Sequence, residues 1–171
     1  MTKPKDDEPI AGVSSPPCSM HEADDAYMGY AGKDDLITAL NELLEAERAG
    51  ARVTLESAHT AGSGPLASVL RTVQHDEMRW CAMLLRHLKV LGAEPSPNVG
   101  AFYGKAMAIG DLRERVLFLN RGQGWVVRKL RELLPRVRDA ELHRELADML
   151  RSHETNIALA NDAAGGGAPA S

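Results

Sequence analysis

The chain has 171 residues, a length that suits one domain. Hydrophobic residues make up 44% of it, charged residues 26% and aromatic residues only 4%, so we expect a folded protein with an aliphatic core rather than a disordered chain. The net charge is -4, and residues 36–171 carry 17 Lys and Arg against 16 Asp and Glu. No basic surface therefore indicates a nucleic-acid partner.

Membrane insertion and secretion have no support in the sequence. No apolar run approaches the ~20 residues that a membrane-spanning helix needs, and the first eight residues lack the apolar segment of a signal peptide. The two cysteines, Cys18 and Cys81, do not make a disulfide framework. We therefore expect a cytoplasmic protein with no membrane partner.

The N-terminal residues, 1–33, contain four of the nine prolines and predict an extended arm that is partly disordered. Cys18 and His21 lie close together in this arm, a pair that suits copper or a redox thiol, with incidental proximity as the alternative. The segment 27–31 is more apolar, which is consistent with packing on the folded part of the chain.

Apolar residues spaced three and four apart predict four long helices over residues 34–161. The first helix begins at Asp34 or Asp35, either of which suits an N-cap. The second begins at Pro65, a favoured residue in a first helical turn, and ends near Gly92.

The third predicted helix spans about residues 106–134, and the fourth follows Asp139. Gly122 and Gly124 interrupt the third helix, which indicates either the close approach of another group or a bend around a site. Residues 162–171 have nothing to bury, so we expect a disordered tail there.

Loop lengths predict the topology. The first two helices, and likewise the last two, are joined by about four or five residues, and such short links make helices antiparallel neighbours. The 14 residues from Gly92 to Lys105 can extend to ~46 Å, whereas a helix of roughly 27 residues is ~40 Å long. This favours two antiparallel pairs joined by a long crossover. An up-down-up-down bundle with a loose 14-residue loop is the alternative.

Each predicted helix carries a polar residue at a position of its apolar stripe. These residues are Glu47, Glu77, Gln123 and His153, with Glu154 beside the histidine. Burying an unpaired carboxylate is costly, so such residues need a reason to be there. If they meet at one level, two carboxylates, an imidazole and an amide would form a site for one Fe, Mn or Zn ion.

A metal-free polar core is the alternative to this site. The two carboxyl groups could be neutralised by Arg121, share a proton or pair with the imidazole. The protein would then be a non-catalytic bundle that dimerises or binds another protein through the acidic arm and one helix face. Cys81 lies on the apolar stripe of the second helix, so we expect a buried, unreactive thiol.

The pattern over residues 34–161 resembles the ferritin-like superfamily of di-iron carboxylate bundles. The resemblance is carried by the helix pattern, the long second connection and the mid-helix acidic residues. It is clearest in Leu-Asn-Glu-Leu-Leu-Glu-Ala-Glu-Arg-Ala-Gly-Ala-Arg-Val at residues 40–53 and His-Asp-Glu-Met-Arg-Trp-Cys at residues 75–81. Both segments look like a bacterial branch of that superfamily.

The superfamily's two-metal site takes one Glu from each of two helices and a Glu-x-x-His from each of the other two. Glu47 matches a single Glu, Glu77 the Glu of one Glu-x-x-His, and His153 the His of the other. Trp80 and Leu150 occupy the missing partners' positions, and the third helix offers no matching Glu. Since three of the six positions are filled, the resemblance implies a degenerate, mononuclear site.

Our first hypothesis is therefore a metal-dependent redox or metal-handling protein. Glu47, Glu77 and His153 would be its ligands, with Gln123 and Glu154 as accessory groups. The sequence leaves open the substrate, the metal and whether the chain forms a homodimer.

Overall fold

The computed structural model describes residues 27–165, and every regular element in that range is helical. The five α-helices are α1 (Lys33–Ala61), α2 (Pro65–Val90), α3 (Phe102–Met107), α4 (Leu112–Leu133) and α5 (Ala140–Gly165). A 3-10 turn at Leu134–Arg136 separates α4 from α5. The all-helical fold predicted from the sequence is confirmed for this range. None of its helices is long and apolar enough to cross a membrane.

A backbone hydrogen bond attaches the start of the described chain to the rest of the fold. The N–H of Ala31 donates a hydrogen bond to the carbonyl of Arg136 at 2.8 Å. Tyr27 and Met28 are 87% and 66% exposed, so this end of the segment does not pack on the core. The Cys18 and His21 pair lies outside the described residues.

Helix ends agree with the sequence signals in most places. Gly32, not an aspartate, is the N-cap of α1, and Asp34 and Asp35 lie in its first turn, where carboxylates suit the positive end of the helix dipole. The second helix begins at the predicted Pro65. The last helix continues to Gly165, four residues beyond the predicted boundary. Residues 166–171 lie outside the description.

The third predicted helix is in fact two helices. Four residues separate the short α3 from α4, and Asp111 caps α4 by accepting a hydrogen bond from the N–H of Glu114 at 2.8 Å. The backbone of Asp111 is extended, so the helix cannot continue through it. The apolar spacing misled the prediction because Ile109, Leu112 and Val116 keep the helical period across the break.

The core consists of two apolar clusters at opposite ends of the long helices. The first joins the beginning of α1 and of α5 to the ends of α2 and α4, with Leu43, Leu84 and Leu146 among its buried residues. The second joins the opposite halves of these helices, with Val53 and Leu70 among its buried residues. Both α1 and α5 pack against α2 and against α4, so the middle of each long helix faces a shared space between the clusters.

Candidate functional site

Four buried polar side chains, one from each long helix, occupy the layer between the two apolar clusters. They are Glu47 on α1, Glu77 on α2, Gln123 on α4 and His153 on α5, and none is more than 3% exposed. His153 Nε2 lies 3.1 Å from Glu47 Oε1, and His153 Nδ1 lies 3.4 Å from Gln123 Oε1. The structure thus brings together four of the five residues proposed from the sequence.

Burial keeps the two carboxyl groups of this layer in the protonated form at neutral pH. Burial raises the pKa of Glu47 to about 8, although the neighbouring Glu77 side chain acts in the opposite direction. Burial, reinforced by the charge of Glu47, raises the pKa of Glu77 well above its usual range. Two adjacent carboxylates cannot both ionise cheaply without a cation. Protonation of the carboxyl groups, or a bound cation between them, is therefore needed.

The imidazole of His153 faces Glu47 without a hydrogen bond. Despite the 3.1 Å separation, neither His153 Nε2 nor either carboxylate oxygen of Glu47 has a partner in hydrogen-bonding geometry. When the ring proton is on Nδ1, Nδ1–H donates a hydrogen bond to Gln123 Oε1. Nε2 then presents its lone pair towards the carboxyl group of Glu47. Burial lowers the pKa of His153, which favours the neutral, ligand-competent imidazole.

Gly50 makes the space that the Glu77 carboxyl occupies. It lies on α1 one turn after Glu47, and a Cβ atom there would come within 2.6 Å of Glu77 Cδ and 2.8 Å of its Oε1. Only a residue without a side chain lets the carboxyl approach the helix so closely. Sequence reasoning missed Gly50. The signal available in the sequence was the position of this glycine one turn after Glu47, a residue of the apolar stripe.

A second set of polar residues borders the layer on the α2–α5 side. Asp76 Oδ2 accepts hydrogen bonds from Ser152 Oγ and Asn156 Nδ2, both at 3.0 Å, and Trp80 Nε1 donates to Ser152 Oγ at 3.4 Å. Trp80, at the position where the superfamily pattern has a histidine, is therefore part of this border. The carboxylate of Asp76 is one cause that raises the pKa of Glu47.

Glu154 does not join the site, contrary to the sequence-based expectation. Its side chain is 43% exposed and pairs with Arg131 at 2.6 Å, because its place next to His153 on α5 rotates it away from the core. Arg121 is also exposed and lies over the ring of Phe118, so it does not neutralise the buried carboxyl groups.

Cys81 lies one turn after Glu77 on α2 and is only partly buried. Burial and the neighbouring carboxyl groups raise the pKa of its thiol to about 12. The thiol stays protonated at neutral pH, which makes it a poor nucleophile and a poor metal ligand.

A cavity of about 350 Å³ lies beside the polar layer. Glu77, Gln123 and His153 form part of its wall, whereas Glu47 does not line it. Its mouth is near Gly100 and Trp125, both of which are exposed. The layer is therefore accessible to a small molecule from one side, a feature that the sequence did not reveal.

The side chains do not form a closed set of metal ligands as they stand. Within residues 27–165, no group of three or more His, Cys, Asp and Glu residues is arranged so that it could hold a metal ion. His153 Nε2 and Glu47 Oε1 nevertheless lie 3.1 Å apart without a hydrogen bond. Carboxylate and imidazole groups are ligands of Fe, Mn and Zn. The residue types fit a metal, and side-chain rotation would have to complete its coordination.

Residues 34–163 match the family model DUF6306, described as a domain of unknown function. The match spans 130 of the 171 residues, so the chain belongs to this family. No curated protein and no solved structure matches the chain.

Proposed function

We propose that this protein is a ferritin-like four-helix bundle that binds a single divalent Fe, Mn or Zn ion at its centre, in a redox or metal-handling role. Glu47, Glu77 and His153 would hold the ion. The proposal rests on one observation: His153 Nε2 and Glu47 Oε1 lie 3.1 Å apart in the core without a hydrogen bond between them. Two buried acceptor atoms facing each other in this way need a cation or a proton between them.

The helix directions support the ferritin-like part of the proposal. The beginning of α1 shares a cluster with the ends of α2 and α4 and with the beginning of α5, and the opposite ends share the other cluster. The pairs α1–α2 and α4–α5 are then antiparallel, while α2 and α4 run in the same direction. The connection between α2 and α4 would be the long crossover of that topology.

Each side chain would have a defined task. The carboxylates of Glu47 and Glu77 would neutralise the two positive charges, with the ion replacing the protons that the two groups otherwise carry. The amide oxygen of Gln123 would accept a hydrogen bond from Nδ1–H of His153 and so orient Nε2 towards the ion. A bound ion would supply Lewis-acid or redox chemistry to a small molecule in the cavity.

A metal-free bundle with an interaction role is the second candidate. It is favoured by the absence of a closed three-ligand group within residues 27–165 and by the raised pKa values of Glu47 and Glu77. In this case protonation of the two carboxyl groups would stabilise the polar layer, and the protein would act through its surface.

Metal content and thermal stability distinguish the two candidates. We expect protein purified without chelator and supplied with Fe²⁺, Mn²⁺ or Zn²⁺ to retain about one ion per chain by elemental analysis. At an ion concentration of 100 times Kd, binding adds about 2.7 kcal/mol of stability, which raises Tm by roughly 5–10 °C for a chain of this size. Adding EDTA should remove this increase.

Two glutamate variants, one in the core and one at the surface, serve as test and control. Glu47→Gln should reduce metal affinity at least tenfold and abolish the effect of EDTA on Tm. Glu154→Gln should do neither, because that side chain is at the surface with Arg131. If the unmodified protein retains no ion and its Tm does not respond to EDTA, the result would support the second candidate, a metal-free bundle with an interaction role.

A further inference from the structure

We propose that the cavity beside the polar layer binds a small, uncharged aromatic molecule with one hydrogen-bonding group, of the size and chemistry of a phenol. Its volume of about 350 Å³ lies at the lower end of the range for small-molecule sites. The sides of the cavity are apolar, with Ala46, Leu119 and Val126 among them. Polar groups line its inner end.

Two aromatic side chains, Phe102 and Trp125, line the cavity. The ring of Phe102 lies against Gly122, where a Cβ atom would come within 2.6 Å of Cζ, and it stacks on Phe118 with a centroid distance of 4.9 Å. Trp125, 39% exposed, lines the cavity near its mouth. A planar ring would stack on such surfaces better than a branched aliphatic molecule.

The charges around the cavity select an uncharged occupant. Its lining includes Glu42, Glu45 and Glu77 but, among the residues the structure describes, neither Lys nor Arg, so an anion would be buried beside like charges without a counter-ion. Glu42 is already paired with Lys129, and Glu45 accepts a hydrogen bond from Ser96. Glu42 is therefore already neutralised and one oxygen of Glu45 is already engaged, which weakens the attraction of these two acids for a cationic ligand.

The inner end supplies the hydrogen bonds that would orient the molecule. Glu77, Gln123 and His153 line it and offer a carboxyl, an amide and an imidazole. A hydroxyl or carbonyl group could reach these side chains while the ring stays in the apolar part. Binding of the molecule needs only the cavity, whereas its role as a substrate rests on the proposed metal site.

Titration with phenol, and with benzoate as the anion of similar size, tests the assignment. We expect phenol to bind the full-length protein with a millimolar or lower Kd and at least tenfold more tightly than benzoate. In NMR spectra, phenol should shift the indole N–H signal of Trp125, which lines the cavity, and leave that of Trp80 unchanged. Equal affinity for both probes, or shifts of both signals alike, would overturn the proposal.

A pair of alanine variants on α1 supplies the control. Ala46→Leu fills the cavity and should weaken phenol binding at least tenfold, whereas Ala51→Leu, on the same helix but outside the cavity lining, should not. Unchanged binding to Ala46→Leu would contradict the site. The titration is run on metal-free and metal-loaded protein. Phenol binding without metal uptake would refute only the proposed metal function, and metal uptake without phenol binding would refute only this inference.

Discussion

The Glu77 carboxyl owes its position to the missing side chain at Gly50. A glycine inside a helix normally costs about 1 kcal/mol relative to alanine, so α1 gives up helical stability at this position. In exchange, the Glu77 carboxyl lies against the backbone of α1, one turn from Glu47. Gly50 is therefore a positioning residue for the layer.

We expect Gly50→Ala to displace the Glu77 carboxyl and to lower metal affinity at least tenfold. The added Cβ would lie within 2.6 Å of Glu77 Cδ, which is shorter than any tolerable contact. Gly124→Ala is the matched control, because its Cβ would come no closer than 3.7 Å to Arg128. That variant should keep its metal and gain up to about 1 kcal/mol of stability. Metal titration followed by thermal denaturation measures both effects.

The raised pKa values of the carboxyl pair predict a pH dependence for the metal-free protein. In the unfolded chain both groups titrate near 4.5, whereas the folded protein keeps protons up to about pH 8 at Glu47 and well above the usual range at Glu77. Between about pH 4.5 and about pH 8, the folded state binds more protons than the unfolded chain. The stability of the folded protein therefore falls as pH rises through this range. His153 has a lowered pKa and acts in the opposite direction, but only below about pH 6.5.

Between pH 6.5 and 8, therefore, Tm in EDTA should decrease for the unmodified protein and decrease less for Glu77→Gln. Stabilisation by a divalent ion should grow over the same range, because binding releases the protons of the two carboxyl groups. Thermal denaturation at several pH values, with and without metal, provides the measurement. A metal-free Tm that increases across this window would show that the carboxyl groups are ionised in the folded protein.

Among the elements, the connection between α2 and α4 covers the cavity and is anchored to α1. The N–H of Ser96 donates to Asn41 Oδ1 at 2.7 Å, and Arg48 donates to the carbonyl of Ser96. In α3, the hydroxyl of Tyr103 donates to Glu56 Oε1 at 2.5 Å. These contacts hold Val99 and Phe102 at the wall of the cavity. The long connection is thus an ordered part of the site rather than a loose loop.

We expect Gly122→Ala to detach α3 from α4. The new Cβ would lie within 2.6 Å of Phe102 Cζ, and the ring cannot move without losing its stacking on Phe118. Overpacking of this kind costs about 1–3 kcal/mol, so Tm should decrease, in contrast to the increase expected for Gly124→Ala. Thermal denaturation compares the two variants. A stabilised Gly122→Ala would mean that the ring of Phe102 does not rest on this glycine.

For the whole molecule, the relative direction of α2 and α4 is the property that separates a ferritin-like bundle, in which they are parallel, from an up-down-up-down one. Spin labels at three exposed positions, Lys89, Arg113 and Glu132, test it in a chain with Cys18 and Cys81 replaced. Positions 113 and 132 lie ~28 Å apart along α4. We expect the distance from 89 to 132 to be shorter than that from 89 to 113 by at least about 10 Å. The reverse order would indicate the up-down-up-down bundle.

The sequence by itself determined which residues form the long helices and which polar residues face inward. Both follow from the 3.6-residue period, so Glu47, Glu77, Gln123 and His153 could be identified from their places in the apolar stripes. Glu154, one residue along, lies about 100° around the helix, and that rotation was enough to make it a surface residue.

Only the tertiary structure decided how these side chains meet. The 3.1 Å contact of His153 with Glu47, the space left by Gly50 and the cavity beneath Phe102 depend on the spacing and axial alignment of different helices. The break between α3 and α4 also escaped the sequence pattern, because the apolar period continues across it. A periodic pattern fixes the direction of each side chain about its own helix axis, but the packing of all the helices sets the distances between them.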